Sequence, residues 1–260
     1  MSLKKLLQTL ALGAYDLVSR TGVLDTTLGR RIFLGSYAAY KATLEGRQIR
    51  ALRAYVPADT SVIDVGANVG FYTRHFIRWV AGSGRVVAIE PDHDNFLELR
   101  RTVERSGNSA VAHLVEAAAA ESSGPLRLLR NPVHPGDHRI ADEGIEIPGC
   151  SIDDLLRGLH WPAVSLVKID VQGAELRVLR GARETLERFR PALFVEIDDQ
   201  ALSRSGATAA QLLQELASIG YRAFALVDDG AAVPLDEAAI AQRRAALGYA
   251  DFLFLARPGC

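Results

Sequence analysis

Seven short runs fix the frame of this chain: "SVIDV" (61–65), "RVVAIE" (85–90), "AVAHLV" (110–115), "VSLVKID" (164–170), "ALFVEID" (192–198), "YRAFALV" (221–227) and "DFLFLA" (251–256). They are rich in β-branched and aromatic residues, and most are apolar on successive positions rather than on alternate ones. A strand that is apolar on both faces must be covered on both faces. Amphipathic stretches lie between them. "NFLELRRTVERSG" ends on Gly107, and "AAQLLQELASIG" ends on Gly220, each in the place of a helix C-cap. Val178, Leu179, Ala182, Leu186 and Phe189 mark a further apolar helix face. The pattern predicts an α/β domain with a mostly parallel sheet and helices on both sides. "YRAFALV" and "DFLFLA" are its last strands, the final one reversed at the sheet edge.

The alternation begins after Pro57. Residues 1–56 read as a helical extension and 57–260 as the main domain. Leu3, Leu6, Leu7, Leu10 and Tyr15 recur at helical spacing, while Gln8 and Thr9 interrupt any leader-like apolar run. This extension is expected to pack on the domain or to join two copies as a homo-oligomer, in preference to lying on a membrane surface. One segment, 121–149, breaks the rhythm. It is rich in Pro, Gly, His and Asp and too long for a plain connection, so it reads as a functional loop.

A net charge of -1 gives no electrostatic reason to expect nucleic acid or an acidic membrane as partner. Only two cysteines occur, Cys150 and Cys260, which makes a reducing cytoplasm the expected location. No apolar run approaches the roughly 18 residues needed for a transmembrane span.

The chemistry starts at "VIDVGANVGFYT" (62–73), where a strand runs into Gly66, Ala67, Asn68 and Gly70. This is the end of a strand at which open α/β sheets bind ligands. The spacing is neither the G-x-G-x-x-G of a dinucleotide site nor a phosphate loop with its Gly-Lys-Ser/Thr. Asp64 beside the glycines is poorly placed for a pyrophosphate and well placed for a cation. Glu90 ends the second strand, 24 residues after Gly66, about where an acidic residue takes a ribose diol. Glu116 follows the third strand, where it could face an adenine. Recognition of ribose and adenine beside a cationic group, without phosphate, describes S-adenosylmethionine. Pro91 and Asn95 lie just beyond Glu90. Tyr72 and Thr73 open the next helix, where amide N–H groups could receive a carboxylate.

"VIDVGANVGFYT", "AIEPDHDNF", "VKIDVQGAELRVLRGA" and "PALFVEID" together resemble the FkbM family of S-adenosylmethionine-dependent methyltransferases, and they stand in that family's order. "NPVHPGDHRIAD" (131–142) is similar to a loop of some members. The resemblance implies the class I methyltransferase (Rossmann-like) fold, a seven-stranded mostly parallel sheet, and methylation of hydroxyl groups on sugars, glycans or glycosylated natural products.

A hydroxyl needs a base or a metal to lose its proton. His138 leads as base, with His134 beside it and Asp170, at the end of the fourth strand, as rival and also as part of the cofactor site. Asp137, Arg139, Glu175 and Glu196 are the acceptor-binding candidates. Asp170, Glu196 and Asp198 are hard oxygen ligands that would suit Mg²⁺. Two other readings stand beside this one. The first is a non-catalytic nucleoside- or partner-binding protein, which convergence of these residues over one pocket would argue against. The second is an N-methyltransferase, against which "DVQGAE" stands where amine methylases carry an Asn/Asp-Pro-Pro-Tyr clamp.

Overall fold

The computed structural model describes residues 46–131, 137–227 and 230–257. The chain divides into two compact units, Met1–Arg50 and Ala51–Cys260. Of the first, only residues 46–50 are described, and they are helical. The expected N-terminal extension and any subunit contact through it therefore lie mostly outside the described residues.

The second unit is built on an eight-stranded sheet. Its strands are β1 (Ser61–Val65), β2 (Val86–Ile89), β3 (Ala112–Val115), β8 (Val164–Ile169), β9 (Ala192–Asp198), β10 (Tyr221–Leu226), β11 (Ala232–Pro234) and β12 (Tyr249–Ala256), in the order β11-β10-β12-β9-β8-β1-β2-β3. The central pairs β3/β2, β2/β1, β1/β8 and β8/β9 are parallel. Every residue of β1 and β2 is buried, as their unbroken apolar character requires.

Helices α1 (Thr73–Trp79), α2 (His93–Arg105), α3 (Ile152–Gly158), α4 (Glu175–Arg180), α5 (Arg183–Phe189), α6 (Asp199–Arg204), α7 (Ala209–Ser218) and α8 (Glu237–Leu247) complete the unit. Ile63 and Val65 of β1 join one core with Ile152, Val178, Leu186 and Leu212, drawn from α3, α4, α5 and α7. Strand alternation sends Val62 and Asp64 to the opposite face. Gly107 and Gly220 both follow a helix end with positive φ, as read from the sequence.

Four expectations need correction. The reversed strand is not at the edge: β12 lies between β9 and β10, antiparallel to both. Its buried "FLF" stretch is satisfied only with neighbours on both sides. The sheet also has an eighth strand, because the short β11 adds to β10. Among its described residues, 121–149 belongs mostly to a second sheet rather than to a loop. It comprises β4 (Ala118–Ala119), β5 (Gly124–Leu129), β6 (Arg139–Ile140) and β7 (Ile145–Cys150), in the order β4-β7-β5-β6, over a small core of Ala118, Leu128 and Ile147. Pro125 and Pro148 disguise its strands. They face each other in register across the β5/β7 ladder, where the composition argues for a loop. The single helix read over 178–189 is two, α4 and α5, parted at Gly181 and Ala182.

Candidate active site

The site forms where β1, β2 and β8 end side by side. After Val65 the backbone turns sharply. Gly66 (φ +71), Asn68 (φ +49) and Gly70 (φ +87) all take left-handed conformations, and the amides of Gly66 and Ala67 both donate to the Ile89 carbonyl. A Cβ on Gly66 would stand 1.9 Å from the carbonyl oxygen of Asp170. Only glycine lets the first loop pass so close to the end of β8.

Glu90 ties the loop to the tip of the second strand. It is 4% exposed, and its two oxygens accept the amides of Asn68 (2.8 Å) and Asp92 (3.0 Å). Asn95, in the first turn of α2, adds a side-chain hydrogen bond. Burial, against these hydrogen bonds, lifts the Glu90 carboxyl to about 7. Pro91 leads into Asp92, which caps α2 by accepting the amides of Asp94 and Asn95. Glu116 lies beyond β3 and meets His93 Nδ1 at 2.7 Å, half-exposed at the same edge. Sequence reasoning missed Asp92, although an aspartate two residues after a strand-end glutamate, before a helix, is a legible N-cap.

Asp64 and Lys168 are register partners on β1 and β8 and share one face. Lys168 Nζ lies 3.3 Å from Asp64 Oδ1 and 3.4 Å from Asp170 Oδ2, and donates to the Gly66 carbonyl at 2.9 Å. Thr73 Oγ1 donates to Asp64 Oδ2 at 2.6 Å, and the Tyr72 ring lies under Lys168. The side chains of Tyr72 and Thr73 thus turn inward to hold Asp64 and Lys168. Asp170 is the open member, with 31% of its side chain exposed.

Glu175 opens α4 at 1% exposure, accepting the Gly173 amide at 3.2 Å. Burial raises its carboxyl to about 8, and the nearby charges of Asp170 and Asp198 push the same way. Asp198 accepts the amides of Gln200 and Ala201 and so caps α6. Glu196 stands on β9 opposite Asp251 of β12. Among the described residues no group of three or more His, Cys, Asp or Glu is placed to hold a metal. The expected Mg²⁺ set of Asp170, Glu196 and Asp198 is not assembled: Asp198 spends an oxygen on helix amides, and Asp170 faces Lys168.

His134 lies outside the described residues. His138 does not stand open to an acceptor. Its Nδ1 accepts the Asn131 amide at 3.0 Å, and its Nε2 lies 3.5 Å from Asp92 Oδ2. Burial lowers its pKa, against the pull of Asp92. With Nδ1 already an acceptor, the ring has no free lone pair for a proton. Arg130 pairs with Asp92 at 2.6 Å and also with Asp94. Asp137 accepts from Asn131 and lies 4.0 Å from Arg204, at the end of α6, while Arg139 of β6 pairs with Leu129 of β5.

A parallel sheet with a reversed strand threaded beside its fifth parallel member, a glycine turn after the first strand and a buried acid at the tip of the second define a class I methyltransferase fold. The chain belongs to the FkbM methyltransferase family, whose domain matches residues 64–223, well over half of its length. It is 31% identical over 148 residues to the hexuronic acid methyltransferase AglP of Haloferax volcanii, covering 55% of this chain and 59% of that protein. It is 28% identical over 150 residues to methyltransferase 1 of Beauveria bassiana, covering 48% of this chain and 59% of that one. The chain thus spans about three-fifths of the length of these curated relatives. The solved FkbM methyltransferase of Methylobacillus flagellatus superposes with a TM-score of 0.50 at 20% identity, covering 76% of this chain and 44% of that one, a likeness of fold.

The residues fit S-adenosylmethionine. Glu90 keeps acceptor capacity for a ribose hydroxyl, and Asp64, Asp170 and Lys168 together leave one negative charge for a cationic ligand. Donation from a hydroxyl favours the ionised carboxylate, so binding should release a proton from a Glu90 that titrates at about 7 in the free protein. Affinity is then full above that pH and falls by up to about tenfold per pH unit below it. Calorimetry at pH 6 and 8 checks this, and Glu90→Gln should flatten the dependence. An affinity equal at both pH values would remove Glu90 from the cofactor site.

Proposed function

We propose that this chain is an S-adenosylmethionine-dependent O-methyltransferase acting on a hydroxyl of a sugar, glycan or glycosylated metabolite, with residues 57–260 as its catalytic domain. One observation carries the reading: a glycine loop braced by buried Glu90 on one side touches the backbone of half-exposed Asp170 on the other. Family membership supports methyl transfer, and the name of the Haloferax relative supports a sugar acceptor.

When bound, S-adenosylmethionine supplies an electrophilic methyl group on its sulfonium. Asp64 and Asp170 would balance that positive charge, and Glu90 would fix the ribose. Asp170 would accept the proton of the acceptor hydroxyl, since His138 has both nitrogens engaged. Contacts of described residues support an acceptor pocket near the strand ends: Arg130 and His138 are held to the tip of β2 through Asp92, and Asp137 approaches Arg204 of α6, with β1 and β8 between in the sheet. Arg139 and Glu196 would then line the acceptor side, while Glu175, expected there from the sequence, is buried at the start of α4 and would not reach an acceptor.

Calorimetric titration with S-adenosylmethionine and S-adenosylhomocysteine, followed by a tritiated methyl screen over sugar nucleotides, hexuronic acids, glycans, lipids and amines, tests the proposal. Micromolar binding and label on oxygen are expected. Absence of heat and of any melting shift with either ligand would refute it. Binding without transfer to any acceptor would favour the binding-protein reading, and label on amines alone would favour N-methylation.

A further inference from the structure

We propose that Lys168 is the positioning residue of this site: a buried ammonium that pairs with buried Asp64 and binds the cofactor loop and Asp170 into one unit. The inference rests on the methyltransferase reading and adds to it a residue that neither the glycine motif nor the strand-end acids disclose.

Lys168 is 3% exposed and Asp64 is fully buried. Charges in such a place persist only when paired and hydrogen-bonded. An ammonium has three donors, and three oxygens stand around this one: the Gly66 carbonyl at 2.9 Å, Asp64 Oδ1 at 3.3 Å and Asp170 Oδ2 at 3.4 Å. The Tyr72 ring, its centroid 5.0 Å away, closes another side with its electron-rich face. The Thr73 hydroxyl takes the remaining oxygen of Asp64 at 2.6 Å. Through these contacts one side chain on β8 joins the end of β1, the first turn of the glycine loop, the start of α1 and the carboxylate at its own strand's tip. Asp170 is the only one of the three charged groups that reaches solvent, so the uncompensated negative charge lies at the mouth.

Removing the ammonium leaves buried Asp64, among the described residues, with the Thr73 hydroxyl and without its neighbouring cation, and burial without a cation favours the protonated acid. A protonation gained on folding adds stability at low pH that is lost as pH rises. Lys168→Met should therefore melt at a lower temperature than the wild type, and the deficit should widen between about pH 5 and pH 8. Asp64→Asn combined with Lys168→Met deletes the stranded charge and should abolish the added pH dependence. Affinity for S-adenosylmethionine and S-adenosylhomocysteine should fall roughly tenfold or more in both variants, because the Gly66 carbonyl and Asp170 are no longer tied together.

Melting curves across pH and calorimetry with both ligands on the full chain read these outcomes. A Lys168→Met protein that binds both ligands within about twofold of wild type, or whose melting deficit is the same at every pH, would overturn the proposal. If Lys168→Met does not fold, the double variant carries the measurement: a folded protein with weakened binding supports the proposal, and wild-type binding or failure to fold overturns it. A wild type that binds neither ligand would refute the methyltransferase reading, while the melting curves would still decide the coupling of Lys168 to Asp64.

Discussion

Gly66→Ala should lower the unfolding free energy by about 2–5 kcal/mol and abolish measurable S-adenosylmethionine binding. Two costs combine. The residue holds φ +71, which costs a non-glycine residue roughly 1–3 kcal/mol. The new methyl group would also lie 1.9 Å from the Asp170 carbonyl oxygen, a backbone atom that cannot rotate away. Gly107→Ala is the control. Gly107 has φ +75, and a methyl group added there would meet nothing within 4 Å, so only the conformational cost applies, roughly 1 kcal/mol. Urea denaturation measures both variants, and calorimetry measures ligand binding. Equal destabilisation of the two would show that the approach of the loop to β8 is not close.

Asp170→Asn should reduce kcat by about 10²-fold or more once an acceptor is known, with a much smaller change in S-adenosylmethionine affinity. The amide keeps the shape of the side chain but cannot take up the acceptor's proton. His138→Ala separates this from the alternative: it should remove the contacts of His138 with Asp92 and the Asn131 amide, and raise KM for the acceptor more than it lowers kcat. A collapse of kcat in His138→Ala with near-normal turnover in Asp170→Asn would return the base to the histidine.

The surroundings of these two residues differ in a way that the sequence does not show. An unperturbed imidazole near pH 7 in a Pro- and Gly-rich segment reads as a base from composition alone. Whether its lone pair is free depends on what faces it, and here the Asn131 amide and Asp92 do. The Mg²⁺ set failed for a related reason. Three acids at adjacent strand ends look convergent, but Asp198 serves the amides of α6.

What the sequence determined by itself was local and periodic. Runs apolar on both faces required a covered parallel sheet, and the left-handed turn at Gly66 and Gly70 followed from glycine's freedom. Glu90 announced itself by ending β2 at a set distance from that turn. The tertiary structure alone decided what sits beside what across strands. It threaded β12 between β9 and β10, paired β5 with β7 in a second sheet despite their prolines, and set Lys168 in register with Asp64. Those two residues are 104 positions apart in the chain, and no period or spacing encodes their meeting. Strand order brings them together, and the cost of burying either charge alone keeps them so.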